Sequence, residues 1–117
     1  MKKEPIVFLT HILESINLIE MYVQGVTEEY FYTSTEKQDL VVRRLEIIGE
    51  ATKNLPAEFR KKHSDVPWKS IAGLRDVIIH QYFGIEYDVI WDTVVNLLPI
   101  LKKQIEQLIR EYSPKED

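Results

Sequence analysis

Apolar residues recur every three or four positions along most of this chain, and that spacing constrains the fold more than any other feature. In the first long stretch, residues 5–24, they lie at Leu9, Ile12, Leu13, Ile16, Ile19 and Val23. This repeat is typical of one face of an amphipathic helix. No stretch alternates with a period of two, and no internal repeat or low-complexity segment is visible. The pattern therefore predicts an all-α protein.

Glycine, proline and capping residues indicate where the helices begin and end. Gly25 suits a left-handed stop after the first helix, and Thr35 is expected to cap a second long helix. Pro99 lies inside the last apolar run and should bend it. The predicted helical segments are 5–24, 27–33, 36–55, 56–63, 67–84 and 87–113. We therefore expect one domain over residues 1–117, an antiparallel bundle of four main helices plus short ones.

The absence of cysteine excludes several kinds of protein. The chain can have no disulfide, thiolate zinc site, iron–sulfur cluster or cysteine nucleophile, and a reducing cytoplasm is the expected location. Its three histidines are scattered and it has no glycine-rich phosphate loop, so we expect neither a bound metal nor a cofactor. Polar residues interrupt every long apolar stretch, so no membrane span is expected.

Charge is unevenly distributed along the sequence. The formal net charge is −4, which argues against a broad electrostatic attraction to nucleic acid. Residues 43–75 nevertheless hold eight Lys and Arg against four Asp and Glu, and the segments on either side are acidic. One interpretation is that the basic residues 60–62 merely face solvent on a short helix. The other is that the basic centre binds an anionic partner.

Two arginines occupy positions where apolar residues are expected. On a helical projection Arg75 falls among Trp68, Ile71 and Ile78, and Arg44 falls within the apolar stripe of its own helix. A charge in such a stripe needs a partner, because an unpaired buried charge costs several kcal/mol. Acidic partners such as Glu46, Glu50 and Asp76 would make salt bridges. An anion site is the alternative, because the planar guanidinium suits phosphate.

The segment 67–84, PWKSIAGLRDVIIHQYFG, contains the pattern R-x4-H-x-Y, formed by Arg75, His80 and Tyr82. It resembles the signature of HepT-like proteins in the HEPN superfamily. The segment 41–51, VVRRLEIIGEA, and the chain length are also similar to that family. Two long blocks in the right order make the resemblance much more specific than R-x4-H alone.

The resemblance implies an all-helical, HEPN-like homodimer, or a higher even oligomer. It would act as the ribonuclease toxin of a toxin–antitoxin pair, with a minimal nucleotidyltransferase of the MntA type as antitoxin. By the same resemblance, Arg75 and His80 are the catalytic pair and Tyr82 receives AMP from the antitoxin. Asp76 departs from the asparagine often found after the arginine. We expect it to support the site, although a carboxylate there could also repel phosphate.

The chemistry of RNA cleavage is compatible with these residues. If the 2′-hydroxyl of the substrate is the nucleophile, the protein needs proton transfer and stabilisation of a charged phosphorane, and no metal. On one straight helix Arg75 and His80 are separated by about 140° and about 7.5 Å of rise, which favours a composite site at a symmetric dimer interface. Two imidazoles could then divide the base and acid roles.

The sequence also offers candidate RNA contacts and leaves open two functions without RNA cleavage. Arg43, Arg44 and Lys53 are candidate contacts for RNA phosphates, and their binding would be sensitive to salt. One alternative is a catalytically inactive HEPN dimer that binds RNA or nucleotide. Another is a helical partner of a nucleotidyltransferase that has no activity of its own.

Overall fold

The computed structural model describes residues 4–80 and 86–113, apart from the side chains of Val77, Ile79 and His80. These residues form helices joined by short turns, with no strand among them, and the predicted all-α class is confirmed. The helices are α1 (Pro5–Val23), α2 (Glu28–Thr33), α3 (Thr35–Asn54), α4 (Ala57–Lys62), α5 (Trp68–His80), α6 (Tyr87–Asp92) and α7 (Leu98–Tyr112). A π-helical segment, Thr93–Leu97, joins α6 to α7.

Helix α1 supplies the centre of the hydrophobic core. It packs against α3 and α7, and α3 packs against α5 on another side. Four apolar residues spaced along one face of α1 are fully buried, namely Leu9, Ile12, Ile16 and Ile19. Gly25 follows the helix with a φ of +74°, in the left-handed region that favours glycine, as its position in the sequence predicts.

By length and composition alone, α1 could also cross a membrane. It has 19 residues, and its mean hydropathy reaches 1.4 over an 18-residue window. Of that window, 28% is buried, and α1 contacts α3 and α7; a core helix of a helical bundle can have the same composition.

The ends of α3 and α4 differ from the prediction by one residue each. Ser34 caps α3, because its hydroxyl accepts a hydrogen bond from the backbone N–H of Lys37 at 3.2 Å. Thr35, predicted as the cap, is instead the first helical residue. Pro56 precedes α4 as its N-cap residue rather than lying in its first turn. Serine and threonine have the same capping chemistry, so sequence alone does not separate neighbouring positions.

The predicted continuous helix over 87–113 is interrupted before Pro99. The N–H of Leu98 bonds the carbonyl of Thr93, five residues earlier, so one turn is wider than an α-helical turn. Proline lacks an N–H, and its ring clashes with the carbonyl four residues earlier in a regular helix. The π-helical segment lets the chain regain α-helical geometry with Pro99 in the first turn of α7, where the missing N–H costs nothing.

Candidate functional site

Arg75 lies on α5 where that helix packs closely against α3. A Cβ atom added to Gly49 of α3 would lie 2.8 Å from the Cβ of Arg75 and 3.2 Å from its backbone nitrogen. Only glycine fits such an approach without moving one of the helices. Gly49 therefore sets how closely α5 packs against α3, and with it the position of Arg75.

The guanidinium of Arg75 is partnered by acidic residues and partly open to solvent. Its Nε donates to Oε2 of Glu50 at 2.9 Å, and its Nη1 lies 3.9 Å from Oδ1 of Asp76. The expected acidic partner on α3 is therefore present. The side chain is 36% exposed, so Arg75 lies at the edge of the buried face rather than at its centre, where the helical projection placed it. An anion could still reach the guanidinium.

Asp76 and Lys53 form a second ion pair between the same two helices. Nζ of Lys53 donates to Oδ1 of Asp76 at 2.8 Å. The carboxylate that follows Arg75 thus has a cation within hydrogen-bond distance, in addition to the more distant Arg75. Two cations and two carboxylates balance here, which reduces the repulsion that Asp76 alone would exert on phosphate.

Arg43 and Arg75 line the same small cleft. The cleft has a volume of about 270 Å³, and its other lining residues are Glu46, Ile47 and Glu50. Of the three residues predicted to contact RNA, only Arg43 lies in this cleft with Arg75; Lys53 pairs with Asp76. Arg44 is partly buried on α3 and is not among the lining residues. The contribution of all three residues to RNA binding stays a prediction.

For two of the predicted site residues, His80 and Tyr82, the structure gives no side-chain position. The backbone of His80 is the last residue of α5, and its side chain lies outside the described part of the chain. Tyr82 lies outside the described residues, as does the predicted end of this helix at Gly84. Among the described residues, no group of three or more His, Asp or Glu is arranged to hold a metal ion.

The sequence interpretation missed Gly49 as a residue that positions the site. A weak signal was present, because glycine inside a helix costs roughly 1 kcal/mol relative to alanine and often has a packing reason, but Gly73 gives the same signal without such a contact among the described residues. Gly49 lies between Ile48 and Glu50, in the middle of a long apolar repeat. The apolar repeat does not indicate which helix packs against this position.

Comparison with known proteins identifies the family. The model of the family described as "Ribonuclease HepT-like" matches residues 12–108. The chain belongs to the HepT-like family. Residues 12–108 include all of the site described above, from Arg43 on α3 to Arg75 and His80 on α5.

Three relatives give the scale of the similarity. A Caldanaerobacter subterraneus protein named "Putative RNase" is 47% identical over 93% of this chain and 97% of its own length. "Probable ribonuclease HepT" of Thermococcus cleftensis is 42% identical over 92% of this chain and 98% of its own. A Methanocaldococcus jannaschii protein named "Gamma-glutamylcyclotransferase and putative RNase" is 49% identical over 95% of this chain. The chain spans only 50% of that last relative's length. No solved structure matches the chain at a significant level.

Proposed function

We propose that this HepT-like chain is an endoribonuclease, the toxin of a HepT/MntA-type toxin–antitoxin system. The observation that carries the proposal is the family match over residues 12–108, which contain both Arg75 and His80. The partly exposed guanidinium beside the cleft supports it, because arginine in that setting can bind the phosphate of an RNA chain. RNA is the proposed substrate.

In the proposed reaction the 2′-hydroxyl of the RNA attacks the neighbouring phosphorus. His80 of one protomer takes the proton of that hydroxyl, and Arg75 stabilises the charged phosphorane. The bond from phosphorus to the 5′-oxygen breaks, and that oxygen receives a proton from the second imidazole of the dimer. The products are a 2′,3′-cyclic phosphate and a 5′-hydroxyl. No metal takes part, because proton transfer and charge stabilisation are both supplied by side chains.

The site is proposed to be composite and to lie at a homodimer interface. Arg75 and His80 lie on one helix, separated by about 140° and about 7.5 Å of rise, so they cannot easily serve the same phosphate from one protomer. A symmetric interface across α5 would bring the arginine of one chain near the histidine of the other. Asp76 would support the site by keeping Lys53 and Arg75 in place through the ion pairs described above.

Cleavage in the presence of a chelator tests the proposed reaction. Purified chain incubated with total RNA and excess EDTA should release fragments that end in 2′,3′-cyclic phosphate. Arg75→Ala and His80→Ala should each lose most of this activity, by about 100-fold or more, since one removes charge stabilisation and the other proton transfer. Lys62→Ala, an exposed change on α4, is the matched control and should cleave normally. Activity that requires added Mg²⁺, or that survives both site substitutions, would contradict the assignment.

Control of the toxin is proposed to act at Tyr82. AMP attached to its hydroxyl would place a phosphate and an adenosine near the Arg75 site, where they would compete with RNA. Co-expression with an MntA-type nucleotidyltransferase should add one or more AMP masses to the peptide containing Tyr82 and abolish growth inhibition. Tyr82→Phe should remain toxic and resist this rescue. An unmodified Tyr82 in a fully neutralised complex would instead assign inhibition to occlusion by the partner.

A further inference from the structure

A large basic groove lies next to the Arg75 site, on the other side of Asp76. It has a volume of about 880 Å³ and runs between the end of α3, the short helix α4 and the first nine residues of α5. Its charged lining residues are Lys53, Arg60, Lys61, Lys69 and Asp76, and the remaining lining residues are uncharged. A groove with four cations and one carboxylate is the reverse of the whole chain, whose net charge is −4.

Among the described residues, three of these four cations form no ion pair and remain for a ligand. Lys53 is paired with Asp76 at 2.8 Å, which leaves Arg60, Lys61 and Lys69. The Nε–H of Arg60 is buried and has no hydrogen-bond partner among the described residues. Because this atom is inaccessible to solvent, the positive charges of the three side chains, and not this donor, would attract a ligand. The groove is therefore suited to an anionic ligand.

The groove begins where the Arg75 site ends. Asp76 lines the groove and lies 3.9 Å from the guanidinium of Arg75, and Lys53 contacts the same carboxylate. A chain of phosphates that passes Arg75 can therefore continue over this ion pair toward α4. Proteins that hold single strands without reading their sequence combine a basic groove along the phosphate backbone with aromatic stacking surfaces, and this groove supplies the first of the two.

We propose that this groove holds the sugar–phosphate backbone of single-stranded RNA on one side of the bond that is cleaved. This inference rests on the proposed function and extends it to residues Arg60, Lys61 and Lys69. Trp68 lies against the groove but is 5% exposed, and its Nε1 donates to the carbonyl of His63, so it belongs to the core and offers no stacking surface. Recognition is therefore through phosphates and tolerates different base sequences.

Binding of an RNA that cannot be cleaved tests the groove separately from catalysis. The probe is a fluorescent single-stranded 2′-O-methyl RNA, which lacks the proposed nucleophile, and the readout is anisotropy at several salt concentrations. Lys61→Glu with Lys69→Glu should weaken binding by at least about tenfold and reduce the steepness of the log–log salt dependence by about 1.4, or about 0.7 per phosphate contact. This double variant should lose the same factor in affinity for RNAs of different sequence.

The matched control is Lys62→Glu with Lys103→Glu. Both lysines are exposed, neither lines the groove, and the change in net charge is identical. Lys61 and Lys62 lie in the same last turn of α4, so their effects on that helix are also matched. The control pair should change affinity by less than about threefold. An equal loss of affinity in both double variants, or no loss in either, would overturn the proposal that the groove binds RNA.

The outcomes separate the two proposals. Suppose that the wild-type chain cleaves RNA and that the double variant at Lys61 and Lys69 binds and cleaves as well as the control. The proposal that the groove binds RNA is then wrong, and the proposed ribonuclease activity stands. If no RNA is cleaved but binding of 2′-O-methyl RNA depends on Lys61 and Lys69, the groove is correct and the proposed activity is wrong.

Discussion

At the scale of single residues, the ion pairs of the site position side chains more than they stabilise the fold. The Arg75–Glu50 and Lys53–Asp76 pairs involve side chains that are between 36% and 54% exposed. Pairs with that exposure contribute only about 0 to 1 kcal/mol each, because solvent screens them. Their consequence is geometric, since both pairs join α3 to α5 and hold the guanidinium at the cleft.

Gly49 is the residue on which this geometry depends most. Gly49→Ala would place a methyl group 2.8 Å from the Cβ of Arg75, an atom fixed to the backbone of α5, so one helix must move. Overpacking of this kind costs about 1–3 kcal/mol, which exceeds the gain of up to about 1 kcal/mol from replacing a helical glycine. We expect a net loss of up to about 2 kcal/mol in the free energy of unfolding, measured by urea denaturation, with reduced RNA cleavage.

Gly73→Ala is the matched control for this prediction. Gly73 is also inside a helix, α5, but a Cβ there would have no neighbouring atom of the described residues within 4 Å. Only the helix-propensity gain remains, so this variant should be more stable than wild type by up to about 1 kcal/mol. If both variants are stabilised equally, the close approach at Gly49 does not constrain the packing of α5.

At the scale of helices, the sequence was sufficient where the signal is local. The apolar repeat predicted α1 and α3 within one or two residues, because each helix must bury one face whatever its neighbour is. The end of α1 was also predictable, since the positive φ after it is a local requirement that Gly25 meets. The cap of α3 was not predictable, because two neighbouring residues, Ser34 and Thr35, have the same capping chemistry. The π-helical segment before Pro99 was not predictable either, because the backbone can accommodate a proline in more than one way.

For the candidate site, the sequence indicated which residues to consider but not how they pair. Arg75 stood out because a charge in an apolar stripe needs a partner, and Glu50 was among the acidic residues expected to provide it. Neither the choice of Glu50 over Glu46 nor the pairing of Lys53 with Asp76 follows from sequence. Both depend on how α5 lies across α3, which is a tertiary property set at Gly49.

At the scale of the whole molecule, positive charge is concentrated in one segment that runs from α3 through α4 into the first part of α5. The segment 43–75 supplies both arginines of the cleft and all but one of the charged residues lining the basic groove. The acidic segments on either side make the net charge negative, but Asp76 is the only described residue that places a carboxylate in the groove. A composition that argues against nucleic-acid binding on average is therefore compatible with a localised RNA surface, because charge within about 10 Å of a ligand dominates its electrostatic energy at physiological salt.

The proposed composite site makes a prediction about mixed dimers. A dimer of one wild-type chain and one chain carrying both Arg75→Ala and His80→Ala keeps one arginine and one histidine, but both lie on the same protomer. If the site requires residues from both chains, the mixed dimer is inactive. If each protomer holds a complete site, the mixed dimer retains half of the activity. The double variant is therefore a dominant inhibitor only when the site spans the interface.

Equimolar mixing distinguishes the two arrangements quantitatively. Random pairing gives wild-type, mixed and variant dimers in proportions of about 1:2:1 for a twofold-symmetric assembly. Cleavage should then fall to about a quarter of that of the same total amount of wild-type chain, whereas independent sites or a monomeric enzyme would leave about half. Recovery of untagged wild-type chain through a tag on the variant establishes that mixed dimers have formed and that the variant is folded. Activity that stays in proportion to the wild-type chain, with mixed dimers present, would place Arg75 and His80 in a site within one protomer.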